Sequence, residues 1–178
     1  AGAKLKAGSG YTDFASFVGA DANQDLADMS TKMQVSNGGN FLNGEYSLYN
    51  RYRYYRTFTA EPGIQIGYSE MCFNIAEAAN RGWLNADAAK YYEDGVKASL
   101  LFYGIAQGTK LTISGPTGAV SGEATANVND FLAKVKYAGN DANGLRQILE
   151  QKYIAFWQNS GWEAFYQFRR TGIPKFAE

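Results

Sequence analysis

The sequence predicts a mainly α fold in which paired amphipathic helices alternate with long irregular loops. Three observations carry that prediction. From Tyr68 onward, apolar residues recur at helical spacing in segments that begin at capping residues and stop at glycine. Aromatic residues are dense: 13 Tyr, 11 Phe and 3 Trp make up 15% of the chain, enough to fill wide gaps between helices. Stretches rich in Gly, Ser, Thr and Asn interrupt the periodic segments at residues 1–45 and 108–126. At 178 residues the chain fits one domain, which can bury about two-thirds of its unfolded surface.

Residues 1–66 read as a loop-rich segment with a tyrosine cluster. A helix from about Asn23 to Val35 follows from Leu26, Met29 and Met33, and Asn37-Gly38-Gly39-Asn40 breaks it. Tyr46 to Phe58 carries five tyrosines and three arginines. As a helix it puts Tyr46, Tyr49 and Tyr52 on one face; as a strand it sets Arg51, Arg53 and Tyr55 against Tyr52 and Tyr54. The sequence leaves both open. Glu61-Pro62-Gly63 is a turn.

Residues 67–178 read as the helical region. Ser69 is placed to cap a helix with Met71, Phe73, Ile75 and Ala76 as apolar positions, ending at Arg81-Gly82. Asn85 is placed to cap a second, Ala86 to about Ile105, whose stripe is Ala89, Tyr92, Val96, Leu100 and Tyr103. The two form a hairpin over 68–105, and a helical pair of about thirty-four residues has the length of a tetratricopeptide-type repeat. One such hairpin cannot bury its own face and implies neighbouring repeats. Residues 108–126 are an inserted loop with one β-like piece, Leu111-Thr112-Ile113. Helices follow from Val128 to Tyr137, Leu145 to Asn159 and Trp162 to Arg170, the last stopped by Gly172 with Pro174 beyond. The spacing assigns Trp157, Trp162, Phe165 and Phe168 to the core between helices.

Composition excludes several chemistries. Seventeen basic and seventeen acidic residues balance, so no charge footprint for nucleic acid exists. With no histidine, Ser-His-Asp and Cys-His catalysis and imidazole metal sites are excluded. The single cysteine, Cys72, sits in an apolar helical run and reads as a buried, inert thiol. No apolar stretch is long enough to span a membrane, and no signal peptide is present. Asp21-Ala22-Asn23-Gln24-Asp25 opens like a calcium loop, but Leu26 holds the required Gly position and Lys32 the bidentate Glu position. No metal, cofactor or catalytic residue is therefore assigned. The start on Ala1-Gly2-Ala3-Lys4 and the end just past a helix stop read as a mature or excised piece of something longer.

Two runs carry a family resemblance. One is Gly67-Tyr68-Ser69-Glu70-Met71-Cys72-Phe73-Asn74-Ile75-Ala76-Glu77-Ala78-Ala79-Asn80-Arg81-Gly82, continuing through Ala88-Ala89-Lys90-Tyr91-Tyr92-Glu93-Asp94-Gly95-Val96-Lys97-Ala98-Ser99. The other is Gln151-Lys152-Tyr153 through Gly161-Trp162-Glu163-Ala164-Phe165 to Arg169-Arg170-Thr171-Gly172-Ile173-Pro174. In that order and spacing they resemble the C-terminal part of the SusD/RagB family of outer-membrane nutrient-binding lipoproteins, with Tyr153 and Phe165 in place of tryptophans frequent there. The resemblance covers about residues 60–175. It implies an α-α superhelix of which this chain is a fragment, and a surface lipoprotein that captures glycans, sometimes peptides, without cleaving them. It also implies a SusC-like TonB-dependent outer-membrane transporter as partner, with membrane attachment only through a lipid anchor that lies outside this chain.

Candidate ligand residues are Tyr46, Tyr49, Tyr52, Tyr54 and Tyr55, with Arg51, Arg53, Asn40 and Asn43 nearby. Aromatic rings stack on the C–H faces of sugars, while amide and guanidinium groups bond the hydroxyls. Glu70 and Glu77, seven apart on one helical face, invite comparison with a hydrolytic carboxylate pair; the competing role is pairing with Arg81 or with Arg169-Arg170. Three functions compete: a glycan-binding uptake subunit, a helical-repeat adaptor between proteins, and, weakest, a glycoside hydrolase.

Overall fold

The computed structural model describes residues 24–35, 50–114 and 120–176. Its helices are α1 (Leu26–Val35), α2 (Arg51–Tyr55), α3 (Tyr68–Asn80), α4 (Ala88–Phe102), α5 (Val128–Lys134), α6 (Ala142–Ala155) and α7 (Glu163–Thr171). Strands β1 (Lys110–Ser114) and β2 (Val120–Thr125) form the described sheet. The mainly α prediction holds. The chain divides into two compact units, Ala1–Pro62 with Lys110–Ala126, and Gly63–Thr109 with Asn127–Glu178.

In the first unit, Asp25 accepts from Ala27 N–H at 2.7 Å ahead of α1, so this acidic residue serves a helix start. The β-like piece expected at Leu111-Thr112-Ile113 lies in β1, and the rest of the expected loop supplies a second, antiparallel strand, with Leu111 opposite Ala124 and a register shift after Ile113. Thr112, Ile113, Val120 and Thr125 supply the β-branched side chains that favour a strand; alternation too short to stand out hid the second strand.

The second unit is built on the α3/α4 hairpin with α6 laid across it. Phe73, Ala76, Tyr92, Val96 and Ile148 form its core. Phe73 meets Tyr92 edge-on at 6.3 Å between centroids, and Tyr92 meets Tyr137 at 5.5 Å. Fully burying side chains of the size of Phe73, Ile148 or Leu149 stabilises by about 1.5–3 kcal/mol each. Gly95 permits the close approach of the helices, because a Cβ there would stand 2.9 Å from the Phe73 ring. Cys72 is buried, and desolvation pushes its thiol up in pKa.

Three helix starts differ from the sequence expectation. Ser69 lies inside α3, whose cap position is Gly67 without a side-chain bond; the Ser69 hydroxyl instead donates to Gly95 O at 2.8 Å across the hairpin. α4 is capped by Asp87, whose carboxylate accepts from Lys90 N–H at 3.1 Å, and not by Asn85. α6 begins three residues before Leu145 because Asp141 accepts from both Asn143 and Gly144 N–H. The glycine stops are as expected: Gly82 and Gly172 adopt φ of 73° and 68°.

The closing aromatics depart most from expectation. Trp157, Trp162 and Phe165 are exposed and Phe168 is half-buried, so they are not core among the described residues. The buried residue of α7 is Gln167, whose amide donates to Leu149 O at 2.9 Å. Gln167, Arg170 and Thr171 share one helical face by their spacing, and that polar face packs inward while the aromatic face looks out.

Candidate functional site

The tyrosine segment forms a short helix. Asn50 starts α2 by accepting from Arg53 N–H at 3.1 Å, which settles the helix-or-strand alternative for Arg51–Tyr55. Tyr52 and Tyr55, three apart, share a face and are 71% and 69% exposed. Tyr54 is half-buried, with the Arg53 guanidinium 5.9 Å from its ring centroid. Arg53 also grips the Glu61 carboxylate, Nη2 to Oε1 at 2.8 Å and Nε to Oε2 at 2.8 Å, so its charge is already matched. Tyr46, Tyr49, Asn40 and Asn43 lie outside the described residues, as does the side chain of Arg51.

Arg56 joins the group although sequence reasoning passed over it. Its guanidinium lies 4.9 Å from the Tyr52 centroid and donates to Tyr52 Oη at 3.0 Å. The signal was its position four residues after Tyr52, the spacing of helical neighbours. The result is an exposed ring backed by a cation, beside a second exposed ring: apolar faces for C–H groups, with hydroxyl and guanidinium donors at their edge.

The carboxylate pair resolves differently. Glu77 is 5% exposed; its oxygens accept from Arg170 at 2.6 and 2.9 Å and from Arg81 Nε at 2.9 Å. Burial alone would raise its pKa, but the two guanidiniums outweigh that and hold it below the usual 4.5. A general acid needs the opposite shift, so Glu77 is a structural anion that ties α7 to α3. Arg170, and not Arg169, is its partner.

The second unit also holds a cavity of about 320 Å³ between the first turn of α3 and the last turns of α4 and α6. Leu101, Phe102 and Phe156 give it apolar walls; Tyr68, Ser69, Glu70, Ser99, Lys152 and Asn159 are its polar members. Lys152 is 7% exposed, and burial lowers its pKa below the usual 10.5 against the opposing pull of Glu70 and Glu77.

Among the described residues the chain is mainly helical, with an exposed aromatic–cationic turn at α2 and a carboxylate tied up in ion pairs. The family model described as "Starch-binding associating with outer membrane" matches residues 13–178, and the chain belongs to that SusD-like family. The match begins well ahead of residue 60, where the resemblance read from the sequence starts. A crystal structure of a SusD homolog from Bacteroides fragilis superposes with a TM-score of 0.66 at 24% identity, over 90% of this chain and 32% of that one. A second SusD homolog from the same species gives 0.63 at 26% identity, over 93% and 33%. A Bacteroidetes AC2a SusD-like protein gives 0.53 at 25%, over 88% and 28%. The chain thus spans about a third of the length of the solved structures it matches. No curated protein matches it. No helix among the described residues is long and apolar enough to cross a membrane.

Proposed function

We propose that the chain is part of a non-catalytic glycan-binding subunit of a surface uptake complex, working beside a SusC-like TonB-dependent transporter and attached to the outer membrane by a lipid anchor outside this sequence. The observation that carries the reading is the pair of exposed rings, Tyr52 and Tyr55, with Arg56 over Tyr52. Two rings three residues apart on α2 offer adjacent stacking platforms to a linear oligosaccharide, and Tyr46, Tyr49, Arg51 and Asn43 extend the same segment. Arg53, matched by Glu61, holds the turn in shape. The depressed pKa of Glu77 supports binding without hydrolysis.

The test is a glycan array, including α-glucans, probed with the chain and with Tyr52→Ala and Tyr55→Ala. Saturable binding weakened by either substitution supports the reading. Sugar release from a bound polysaccharide would overturn it.

A second reading is an adaptor between proteins, favoured by the outward face of α7. Trp162, Phe165 and Tyr166 are 69%, 47% and 57% exposed, a cluster of large apolar groups of the kind that marks interfaces. Absence of binding to every glycan, together with co-purification of the chain with a transporter, favours that role.

A further inference from the structure

The cavity of the second unit holds polar groups with hydrogen-bonding capacity to spare. Lys152 Nζ donates to Asn74 Oδ1 at 2.7 Å and lies 5.2 Å from the Phe156 ring centroid. An ammonium has three donors, and beyond the Asn74 amide and the ring face only more distant carboxylates, Glu70 and Glu77 foremost, compensate a cation that is 7% exposed. Among the described residues no carboxylate stands within salt-bridge distance of it. On the same cavity Asn159 Nδ2 is buried with no acceptor. An unbonded buried amide donor costs about 1–3 kcal/mol, so Asn159 awaits an acceptor on a cavity it shares with an ammonium that has donors to spare.

The remaining walls select the rest of the ligand. They are chiefly apolar, with Phe102, Phe156 and Leu101 beside the hydroxyls of Tyr68 and Ser99 and with the Ser69 hydroxyl already donating to Gly95 O, so most of the hydroxyls that ring a sugar would lose their water without compensation. An apolar body with one oxygen-rich end meets both demands. The volume, about 320 Å³, lies at the small end of the range for ligand pockets. The N-terminus of α3, which has no side-chain cap, opens on the same space and favours negative charge there, in part offset by Glu70 in its first turn.

We propose that this cavity is a binding site for a small amphipathic carboxylate, its apolar body against Phe102 and Phe156 and its carboxylate accepting from Lys152 Nζ and Asn159 Nδ2. The site uses the second unit alone and does not depend on glycan binding at α2.

The experiment is titration of the chain with phenylpropionate, read by calorimetry and by backbone amide shifts in NMR, beside phenylpropionamide and a linear maltooligosaccharide. The expected result is saturable phenylpropionate binding with shifts gathered at α3, α4 and α6 around the cavity. The neutral amide is expected to bind about tenfold more weakly, and Lys152→Met to erase that preference. Ser99→Phe, which fills the cavity and leaves Lys152 in place, is expected to abolish binding; amide spectra of both variants report that the fold is kept. No saturable binding, equal affinity for acid and amide, or unchanged affinity in either folded variant overturns the assignment. Glycan binding at α2 can survive each of those results.

Discussion

Replacing Glu77 by Gln keeps the volume of the side chain and one carbonyl oxygen, and removes the charge at the centre of the α3–α7 junction. The carboxylate accepts from Arg170 Nη1 and Nη2 at 2.6 and 2.9 Å and from Arg81 Nε at 2.9 Å. Breaking a buried ion pair costs about 3–5 kcal/mol, and here part of that is recovered because the freed cations rehydrate. The Arg170 and Arg81 side chains are 49% and 26% exposed. We therefore expect a loss of about 2–3 kcal/mol, roughly 4–12 °C in Tm for a domain of this size. Urea unfolding at a series of pH values is the assay. Because the folded pKa of Glu77 is depressed, its contribution is present above the unfolded value and is lost as pH falls through the folded one. Wild type should lose stability from about pH 4.5 downward, and its advantage over the Gln variant should shrink to nothing. Equal midpoints at neutral pH, or a gap that persists unchanged in acid, would refute the reasoning.

Other outcomes follow from single sites. Gly144→Ala would place a Cβ 1.8 Å from Gly139 O and 2.8 Å from the Tyr137 ring, so the 139–144 turn must move; calorimetry should show a loss of at least about 2 kcal/mol. Lys152→Met should leave thermal stability unchanged or raise it by about 1 kcal/mol, since a buried cation gives way to an apolar chain and its partner Asn74 is exposed to water. Tyr92 is buried, donates to Val135 O at 2.8 Å, and has its pKa pushed up to about 12. Ultraviolet titration should find a tyrosine that ionises well after the rest, with stability lost between the ordinary value of 10 and about 12. An ordinary titration for every tyrosine would contradict the packing around Tyr92.

The hairpin was legible because several signals coincided in it. Gly82 marked the turn, Tyr92 and Val96 repeated at helical spacing, and Phe73 and Ala76 faced them. The cap of α4 was misplaced because Asn85 and Asp87 are both good capping residues, and only the three-dimensional path shows which side chain reaches a free N–H. Ser69 misled for a related reason: a hydroxyl near a helix start also serves as a tie to a neighbouring helix. In α7 the periodicity was plain, but it reveals two faces without saying which one packs. The inward face won through specific polar bonds, Gln167 to Leu149 and Arg170 to Glu77, which no hydrophobic pattern encodes. Lys152 was likewise visible as a helical position and invisible as a buried charge. At the candidate site the tyrosines were legible from composition, whereas the Arg53–Glu61 pairing and the Arg56–Tyr52 stack needed the fold.

The proposed role of α2 as a sugar-stacking surface is tested most directly by calorimetric titration of a linear maltooligosaccharide into the chain and into a Tyr52→Ala/Tyr55→Ala variant. Stacking contributes about 0.5–1.5 kcal/mol per ring, so the double substitution should weaken binding by about fivefold to 140-fold while the melting temperature stays close to wild type. Those rings are largely exposed and support little of the fold. Equal affinity of wild type and variant, with both folded, would contradict the claim.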